Sequence, residues 1–467
     1  MGEETISKAG DVIIEELLIH THTQKEPYNL VEEGIFAEIN IYEGVFEKFM
    51  TGEIIIKDAV NFIAEAPLMG NELITIKLRT PTFPDSPRNI IDKTFQIYSI
   101  RNRRLNSDRE QTYALKFISI EGMSDNYQII TRRFKGNTEE VVKEIYETYM
   151  EEARRPMEGS HSPGLICGDT PHSSNISFIA NHWTPMQCLD YVSKYANGNK
   201  YVGADFVFFE TNKVFIFSSL QNLIGVGADH MFEEYQYYQG GLEPKPYRTD
   251  SSNIYGGVGV SGMPDMVKIS EMRVPRTIDI ADGYSTGYYS QSVRAYDLYT
   301  KERYNAELDV RKDWSKFLHT EPGCPVPEGV DRNPNTTMTV KILSSVNNLT
   351  QSASLPGSKH GNADSENIVA ASLMRDNYFN SLRDYTFEID VPGRTDVACG
   401  DMIYLNYPSP RTKTEDVDFD KLFDRQLSGK YLITAIRHKI DTVAHVMKME
   451  VVKNGLPESM GTSETRE

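Results

Sequence analysis

Apolar residues in the first part of the chain alternate with polar ones or run together as β-branched and aromatic groups. Examples are the stretches 53–58 (EIIIKD) and 94–98 (TFQIY), with glycine- and proline-containing turns between such stretches. This pattern is typical of strands. The predicted strands cover 12–20, 34–42, 53–58, 72–79, 94–104 and 111–121. Short strands at this spacing favour a small antiparallel barrel or sandwich over residues 10–124.

The spacing of apolar residues changes to a helical one after this region. Asn137, with Glu140 three residues later, is typical of the capping box that starts a helix. Thr184 followed by proline indicates a second helix start, because proline fits the first helical position. A phenylalanine-rich hairpin over 205–217 follows this second helix. Residues 125–245 are therefore predicted to form an α+β module.

The rest of the chain returns to strands, interrupted by polar and irregular stretches. Residues 246–265 are rich in Gly, Ser and Pro, which indicates a linker. Apolar residues predict a helix over 365–382. Predicted strands cover 266–274, 284–299, 338–346, 384–391, 401–406, 430–439 and 443–453. The last four form a β-meander whose inward apolar residues would build a barrel wall.

Composition and charge limit the kind of protein further. The 467 residues suggest three or four domains, at about 100–200 residues each. The net charge of −18 argues against a surface that binds nucleic acid, although an acidic surface that only maintains solubility explains it more simply. The start of the chain lacks signal-peptide features, and no apolar run approaches about 18 residues, so no membrane span is expected. Four well-separated cysteines predict free thiols in a reducing compartment: Cys167, Cys188, Cys324 and Cys399.

Two short motifs match patterns of nucleotide-binding and hydrolytic sites. Gly257–Gly262 matches GxGxxG, but no helix start follows the glycines, so a flexible connection is the better interpretation. Gly283–Gly287 matches GxSxG and offers Ser285 as a nucleophile, but no βαβ alternation surrounds it. We interpret this second segment as a turn.

Histidines and cysteines offer only incomplete metal or catalytic sets. His20 and His22 alternate on a predicted strand and share a face, but a zinc site needs three or four ligands. A Cys–His pair can form between residues that are distant in sequence, so this alternative stays open. Its candidate members are Cys167, Cys188, His161, His172 and His182. The sequence therefore predicts no catalytic, cofactor-binding or metal-binding residue, and no cofactor.

Several stretches of the chain carry a resemblance to a known family. They are 49–58 (FMTGEIIIKD) with 68–74 (LMGNELI), Trp183–Met186 with the hairpin 205–217, the helix 365–382 with the meander 384–405, and 429–453. In this order the chain resembles the baseplate hub proteins of contractile-tailed (myovirus) phages, which are similar to the amino-terminal part of type VI secretion spike proteins. The stretches span most of the chain, whereas 300–364 matches no motif of the family.

The resemblance implies a mainly β fold with α+β modules, built as two tube-like antiparallel β-barrels plus two accessory domains. It also implies a homotrimer, in which three subunits with two barrels each give a pseudo-sixfold ring. Such a ring would adapt a hexameric tail tube to a trimeric central spike and form the channel for DNA. The implied division is an N-terminal tail (1–9), a first barrel (10–124), an α+β accessory domain (125–245), a discontinuous second barrel (246–300 and 384–455), an inserted accessory domain (301–383) and a disordered tail (456–467).

The implied role is structural and non-enzymatic, in the tail baseplate of the virion, with assembly in the cytoplasm of the bacterial host. The implied partners are further copies of the chain, a trimeric tail spike, the tail tube or a tube-initiator protein, baseplate wedge proteins and the tape-measure protein. DNA would pass through the channel without specific binding, and no stable membrane insertion is expected.

Two other functions stay open from the sequence. A receptor- or glycan-binding tail protein would more often show a repetitive or β-helical distal part and a carbohydrate platform, neither of which we identify. A tail-borne cell-wall hydrolase would need paired carboxylates, a metal triad or a serine elbow within one module. The acidic residues and histidines of 125–245 are numerous enough to keep the hydrolase as an alternative.

Overall fold

Strands dominate the computed structural model of the chain, and helices connect and cover parts of its sheets. The structure describes residues 9–21, 26–66, 68–81, 89–152, 163–169, 175–196, 198, 200–201, 205–229, 234–237, 267–298, 301, 303–327, 329–330, 333, 338–343, 364–408 and 423–457. Within these residues, no helix is both long and apolar enough to cross a membrane.

The strands are named in chain order. They are β1 (Ile13–His20), β2 (Tyr28–Asn29), β3 (Phe36–Gly44), β4 (Thr51–Asp58), β5 (Leu73–Arg79), β6 (Ile90–Ser107), β7 (Glu110–Ser119), β8 (Ile130–Asn137), β9 (Leu165–Gly168), β10 (Asn175–Trp183), β11 (Phe206–Glu210), β12 (Phe215–Ser219), β13 (Glu234–Tyr237), β14 (Lys268–Ile269), β15 (Glu271–Arg276), β16 (Ser290–Asp297), β17 (Arg303–Asp309), β18 (Met338–Leu343), β19 (Tyr385–Pro392), β20 (Met402–Asn406), β21 (Gly429–Asp441) and β22 (His445–Lys453).

The α-helices are named in the same way. They are α1 (Phe62–Glu65), α2 (Ile120–Asp125), α3 (Thr138–Ile145), α4 (Pro185–Tyr195), α5 (Leu220–Asp229), α6 (Ile280–Thr286), α7 (Val310–Asp313) and α8 (Asp364–Ser381). Helix α3 continues as a π-helical segment over Tyr146–Glu151, and α7 continues as a 3-10 turn over Trp314–Lys316.

Strands β1–β7 form an antiparallel sheet in the order β2-β1-β5-β6-β7-β4-β3, which we call the N-terminal sheet. Successive side chains point to opposite faces of a strand, and in β4 this buries Ile54 and Ile56 on one face. The inward side chains of all the long strands meet in one core, so the sheet curls around it. That core includes Leu17, Ile19, Ile39, Ile41, Ile54, Ile56, Ile74, Ile76, Phe95 and Leu115.

Strands β13–β15 and β19–β22 form a second curled region, which we call the C-terminal sheet. β19, β22, β21 and β20 pair antiparallel in that order, and β13 joins β20 in parallel. β13 also pairs with β14, which β15 follows at once, and β15 pairs with β19. This hydrogen-bonded circuit returns to its starting strand around a second core. That core includes Ile389, Val391, Ile403, Leu405, Ile433, Met447 and Val451.

The two sheets are joined edge to edge by the pairing of β21 with β3. The antiparallel register runs from Ala435 opposite Gly44 to Asp441 opposite Glu38. Ile440 of β21 belongs to the core of the N-terminal sheet, whereas Ile433 of the same strand belongs to the core of the C-terminal sheet. One strand therefore contributes to both cores, and the two regions form a single continuous sheet.

Three smaller sheets pack beside this continuous sheet. They are β8 with β10, β9 with β12 and β11, and β16 with β17 and β18. The first two share a core with α3 and α4, and α8 packs against β16 and β17. β16 lies within the range predicted for the second barrel, yet its hydrogen bonds run to β17 and β18. The predicted division of the chain into domains stays a prediction.

The mainly β fold class and both helix starts predicted from the sequence are confirmed. Asn137 and Thr184 each form a capping box, with Glu140 and Gln187 as the reciprocal partners. These signals are local, because each cap bonds backbone groups within three residues of itself.

Other predictions from the sequence are wrong, incomplete or concern residues outside the described ranges. The interpretation of Gly283–Gly287 as a turn is wrong, because α6 covers most of this segment. The carboxylate of Asp279 caps that helix, and Gly287 ends it in the left-handed conformation at φ 73°. Strands β8 and β10 and helix α2 were not predicted. The predicted linker 246–265 lies outside the described residues.

We expect Gly52→Ala to destabilise the protein strongly. A Cβ at this position of β4 would lie 2.4 Å from the carbonyl oxygen of Asn40 and 2.4 Å from the ring of Phe117. Such overpacking costs about 1–3 kcal/mol or more. Urea denaturation would measure the loss, with Gly164→Ala as the control because nothing lies within 4 Å of a Cβ there. Equal denaturation midpoints for the two variants would contradict this account of the sheet.

Candidate functional site

The hairpin formed by β11 and β12 lies between two cores, which explains its unbroken apolar run. Phe206 and Phe208 point into the core beside α3 and α4. Val207 and Phe209, on the opposite face, join the core of the C-terminal sheet. Because both faces are buried, the strand is apolar at successive positions instead of alternating. The hairpin therefore carries its turn to the place where the N-terminal and C-terminal sheets meet.

Residues at this turn are held by a buried ion pair with the N-terminal sheet. The Nζ of Lys93, on β6, lies 2.6 Å from Oε1 of Glu210, and the two side chains are 3% and 0% exposed. Lys93 also donates to the carbonyl oxygen of Thr211 at 2.5 Å, and the backbone N–H of Met50 donates to Oε2 of Glu210 at 2.9 Å. These extra hydrogen bonds offset the cost of removing two charges from water.

The next two residues of the turn contact both sheets. The N–H of Asn212 donates to Glu43 on β3 at 2.7 Å, and its side-chain amide donates to the carbonyl oxygen of Val397 at 3.0 Å. Lys213 donates to the carbonyl oxygens of Ile90 and Thr395, at 3.0 and 2.6 Å. Burial lowers the pKa of Lys213 to about 8. The turn thus ties β3 and β6 to the chain segment between β19 and β20.

A direct contact between Thr80 and Thr395 also connects the N-terminal sheet to the chain segment between β19 and β20. The N–H of Thr395 donates to the hydroxyl of Thr80 at 3.0 Å, and the N–H of Thr80 donates to the hydroxyl of Thr395 at the same distance. The hydroxyl of Thr395 also donates to the carbonyl oxygen of Asn89 at 2.5 Å. Beside it, the buried Arg394 binds Asp396 through two hydrogen bonds of 3.0 and 2.6 Å.

A line of three buried polar side chains crosses the pairing of β3, β21 and β22. Nδ1 of His438 lies 3.1 Å from Nε2 of His445, and Nε2 of His438 lies 3.5 Å from Oε1 of Glu43. Burial, and then the neighbouring His438, hold the pKa of His445 well below its usual value, so this ring is neutral near pH 7. Gly393 packs directly on the ring, where a Cβ would lie 2.0 Å from Cγ.

We call these residues of the turn and the two sheets the junction cluster. Its members are Glu43, Thr80, Lys93, Glu210, Asn212, Lys213, Thr395, His438 and His445. Most of their charged and polar atoms bond one another or backbone groups of three parts of the chain, whereas Oδ1 of Asn212 and Nδ1 of His445 have no partner among the described residues. This arrangement can fix the relative position of those parts, because each lost contact would leave a buried polar group without a partner.

Sequence reasoning missed the junction cluster. Lys93 and Glu210 are 117 positions apart, and nothing local pairs them. One signal was present, because Lys93 stands between Ile91 and Phe95 at a position where the alternation of β6 places a residue inward. A lysine on the buried face of a strand needs an acidic partner.

Ser285, the nucleophile offered by the GxSxG motif, lies on α6 and is exposed. Its hydroxyl donates a hydrogen bond to the carbonyl oxygen of Asp282 at 3.0 Å. A nucleophile elbow needs a sharp turn between strand and helix, and this residue lies within a helix. The GxGxxG motif, Gly257–Gly262, lies outside the described residues.

The histidines singled out from the sequence are bonded to threonines where the structure describes them. His20 contacts the hydroxyl of Thr75 at 3.1 Å, and His182 contacts that of Thr131 at 3.3 Å. Three more candidates, His22, His161 and His172, lie outside the described residues. Across the described ranges, no group of three or more His, Cys, Asp or Glu side chains is placed to hold a metal ion.

The two cysteines considered for a Cys–His pair are poor nucleophiles. Burial raises the pKa of Cys188 to about 12 and that of Cys167 to about 11. The thiolate is the reactive form of cysteine, and such pKa values leave almost none of it near pH 7. Cys188 is fully buried in the core beside α4, and this burial is the main cause of its raised pKa.

Comparison with known proteins gives a likeness of structure without a likeness of sequence. No family model and no curated protein matches the chain. The crystal structure of the 43 kDa tail protein of prophage MuSo2 from Shewanella oneidensis matches with a TM-score of 0.50 and 9% identity, over 94% of this chain and 98% of that one.

Further solved structures are similar at lower scores. A tail protein from Neisseria meningitidis MC58 has a TM-score of 0.49 and 9% identity, over 96% of this chain and 99% of that one. A component of the type VI secretion system of E. coli has a TM-score of 0.38 and 7% identity, over 93% and 76%. The match to the MuSo2 tail protein confirms, at the level of the fold, the resemblance to phage tail proteins that the sequence predicted.

Proposed function

We propose that this chain is the structural hub of a contractile phage tail baseplate. Three copies would form a pseudo-sixfold ring that adapts a hexameric tail tube to a trimeric central spike and encloses the channel for DNA. The observation that carries the proposal is the pair of curled sheets, each with its own core, joined side by side through β21 and β3. Three copies of a chain with two such units supply six similar units to one ring.

The proposed hub divides the chain as the sequence suggested. The N-terminal sheet would be the first tube-like barrel, within 10–124, and the C-terminal sheet would be the second, from 246–300 and 384–455 together with β13 (Glu234–Tyr237). The modules at 125–245 and 301–383 would lie outside the ring. The junction cluster supports this arrangement, because a ring needs its two barrel units at a fixed angle and the cluster bonds to both.

The proposed partners follow from this role. They are further copies of the chain, a trimeric spike, the tail tube or its initiator, baseplate wedge proteins and the tape-measure protein. The excess of acidic residues supports a channel through which DNA passes without specific binding, since like charges repel. We propose that the protein is non-enzymatic and acts in the virion; the fold it shares with a prophage tail protein supports the tail location.

The oligomeric mass in solution tests the proposal. We expect light scattering to give a particle of three times 53.0 kDa, and negative-stain images to show a ring with a central hole. A protein that stays monomeric at high concentration, or a trimer whose images lack a hole, would contradict the hub. Cell-wall digestion by the purified protein would instead support the hydrolase.

We expect Lys93→Met to weaken both the fold and the ring. It leaves the carboxylate of Glu210 buried without its cation, which costs about 3–5 kcal/mol. Lys93→Met combined with Glu210→Gln removes that charge, so we expect part of the stability to return. Denaturation with urea measures stability, and light scattering measures assembly.

An exposed ion pair provides the control for the Lys93 variants. Lys48 and Asp190 are 2.7 Å apart with side chains 48% and 43% exposed, so Lys48→Met should cost less than about 1 kcal/mol. If Lys93→Met were as stable as Lys48→Met, the junction cluster would not hold the two sheets together.

A further inference from the structure

The hairpin of β6 and β7 ends in a basic tip, which we call the basic arm (residues 101–110). Strand β5 covers the outer edge of β6 as far as Gln96, and in the described part of the chain no strand lies beside that edge beyond it. Every residue from Arg101 to Arg109 is exposed. The arm remains ordered by its pairing with β7, down to Ser107 opposite Glu110.

The charge of the basic arm is opposite to that of the whole chain. It contains four Arg against one Asp and one Glu, in a protein whose net charge is −18. Arg101 and Arg103 donate to Ser99 and Gln111, at 3.2 and 2.9 Å. Within the described residues, none of the four arginines forms an ion pair, and the same holds for the exposed Arg294 and Arg303, whereas other exposed cations do form one. Examples are Lys48 with Asp190, and Arg273 with Glu271.

The backbone of the arm favours docking through side chains over docking by strand addition. Bulges interrupt its register between Arg101 and Arg104 and between Leu105 and Ser107, and Asn102 has a φ of 56°. Bulges disturb the regular row of backbone groups that an added strand would pair with. Leu105, which is 70% exposed, stands directly beside Arg104. The arm therefore carries exposed guanidinium groups and an exposed apolar side chain, a combination that fits a carboxylate-bearing protein surface.

A matching surface lies elsewhere on the same chain, in the turn before β3, which we call the acidic turn (residues 31–34). Glu32 and Glu33 are exposed there, and neither forms an ion pair among the described residues. Val31 beside them is 38% exposed. The turn is pre-formed, because the side chain of Asn29 accepts from the N–H groups of Val31 and Glu32 at 3.1 and 3.4 Å.

We propose that the basic arm of one subunit docks on the acidic turn of a neighbouring copy of this chain. Two different patches on one chain make a head-to-tail contact, which generates a closed ring when the rotation between copies closes. Arginines pair with carboxylates by forked hydrogen bonds, and Leu105 meets Val31 beside them. This inference rests on the proposed trimeric hub and specifies which surfaces join its subunits.

A charge swap in the full-length protein tests the contact. Arg103→Glu with Arg104→Glu, and separately Glu32→Arg with Glu33→Arg, should each weaken self-association at least about tenfold at 50 mM salt. The protein carrying all four changes should regain association to within about threefold of the original. Light scattering over a range of protein concentrations gives these affinities, and the rescue shows that the paired variants are folded.

Arg294→Glu with Arg303→Glu is the matched control. Both arginines are exposed on the small sheet of β16 and β17 and form no ion pair in the described ranges, so their reversal should leave association unchanged. Weaker association of the original protein at 500 mM salt than at 50 mM would also support the contact.

The outcomes separate this inference from the hub itself. A monomeric original protein overturns both. A trimer that the arm variants leave intact, or whose loss the four changes together do not rescue, overturns the contact and leaves the hub standing. If the arm variants keep the trimer but lose retention on DNA–cellulose at low salt, the partner of the arm is a polyanion and the inference fails.

Discussion

The pairing of β21 with β3 is the constraint on which the rest of the structure depends. Residues Gly429–Leu432 of β21 pair with β20, and Ala435–Asp441 pair with β3, while β22 follows the other edge of the strand. The register shifts between Ile433 and Ala435, where a bulge bends the strand. The bulged residue, Thr434, accepts the N–H of Val45 through its carbonyl oxygen. Because a bulge bends its strand, β21 can leave one curled sheet and enter the other without losing its hydrogen bonds.

Two curled sheets that share one strand would still be free to twist about it, and the junction cluster limits that motion. The cluster places an inserted turn between the sheets and bonds it to both, through Asn212 on one side and Lys213 on the other. Removing charges from water costs free energy, so stability alone poorly explains why they are buried between the two sheets. A role in fixing the geometry explains these buried charges better. The ion pair of Lys93 with Glu210 forms in one relative position of the sheets, and any other position would leave both charges buried without a partner.

How much of this could be predicted from the sequence depends on how local each signal is. The caps at Asn137 and Thr184 act within three residues, and both predictions are confirmed. Strand β8 buries only two of its side chains, four positions apart, and so lacks the period of two that indicates a strand. The junction cluster and the acidic turn depend on which distant strands meet. An inward lysine indicates that a partner exists, but only the fold supplies its identity.

The buried Lys and Arg side chains of this protein differ from the arginines of the basic arm in having partners within the chain. The buried Lys93 and Arg394 bind carboxylates, and the half-buried Lys213 and the buried Lys453 bind carbonyl oxygens. The four arginines of the basic arm are exposed and form no ion pair within the described residues, although acidic residues outnumber basic ones by 67 to 49. Four exposed arginines without an ion pair, on a hairpin ordered by its pairing with β7, support a surface that finds its carboxylate partner on another molecule.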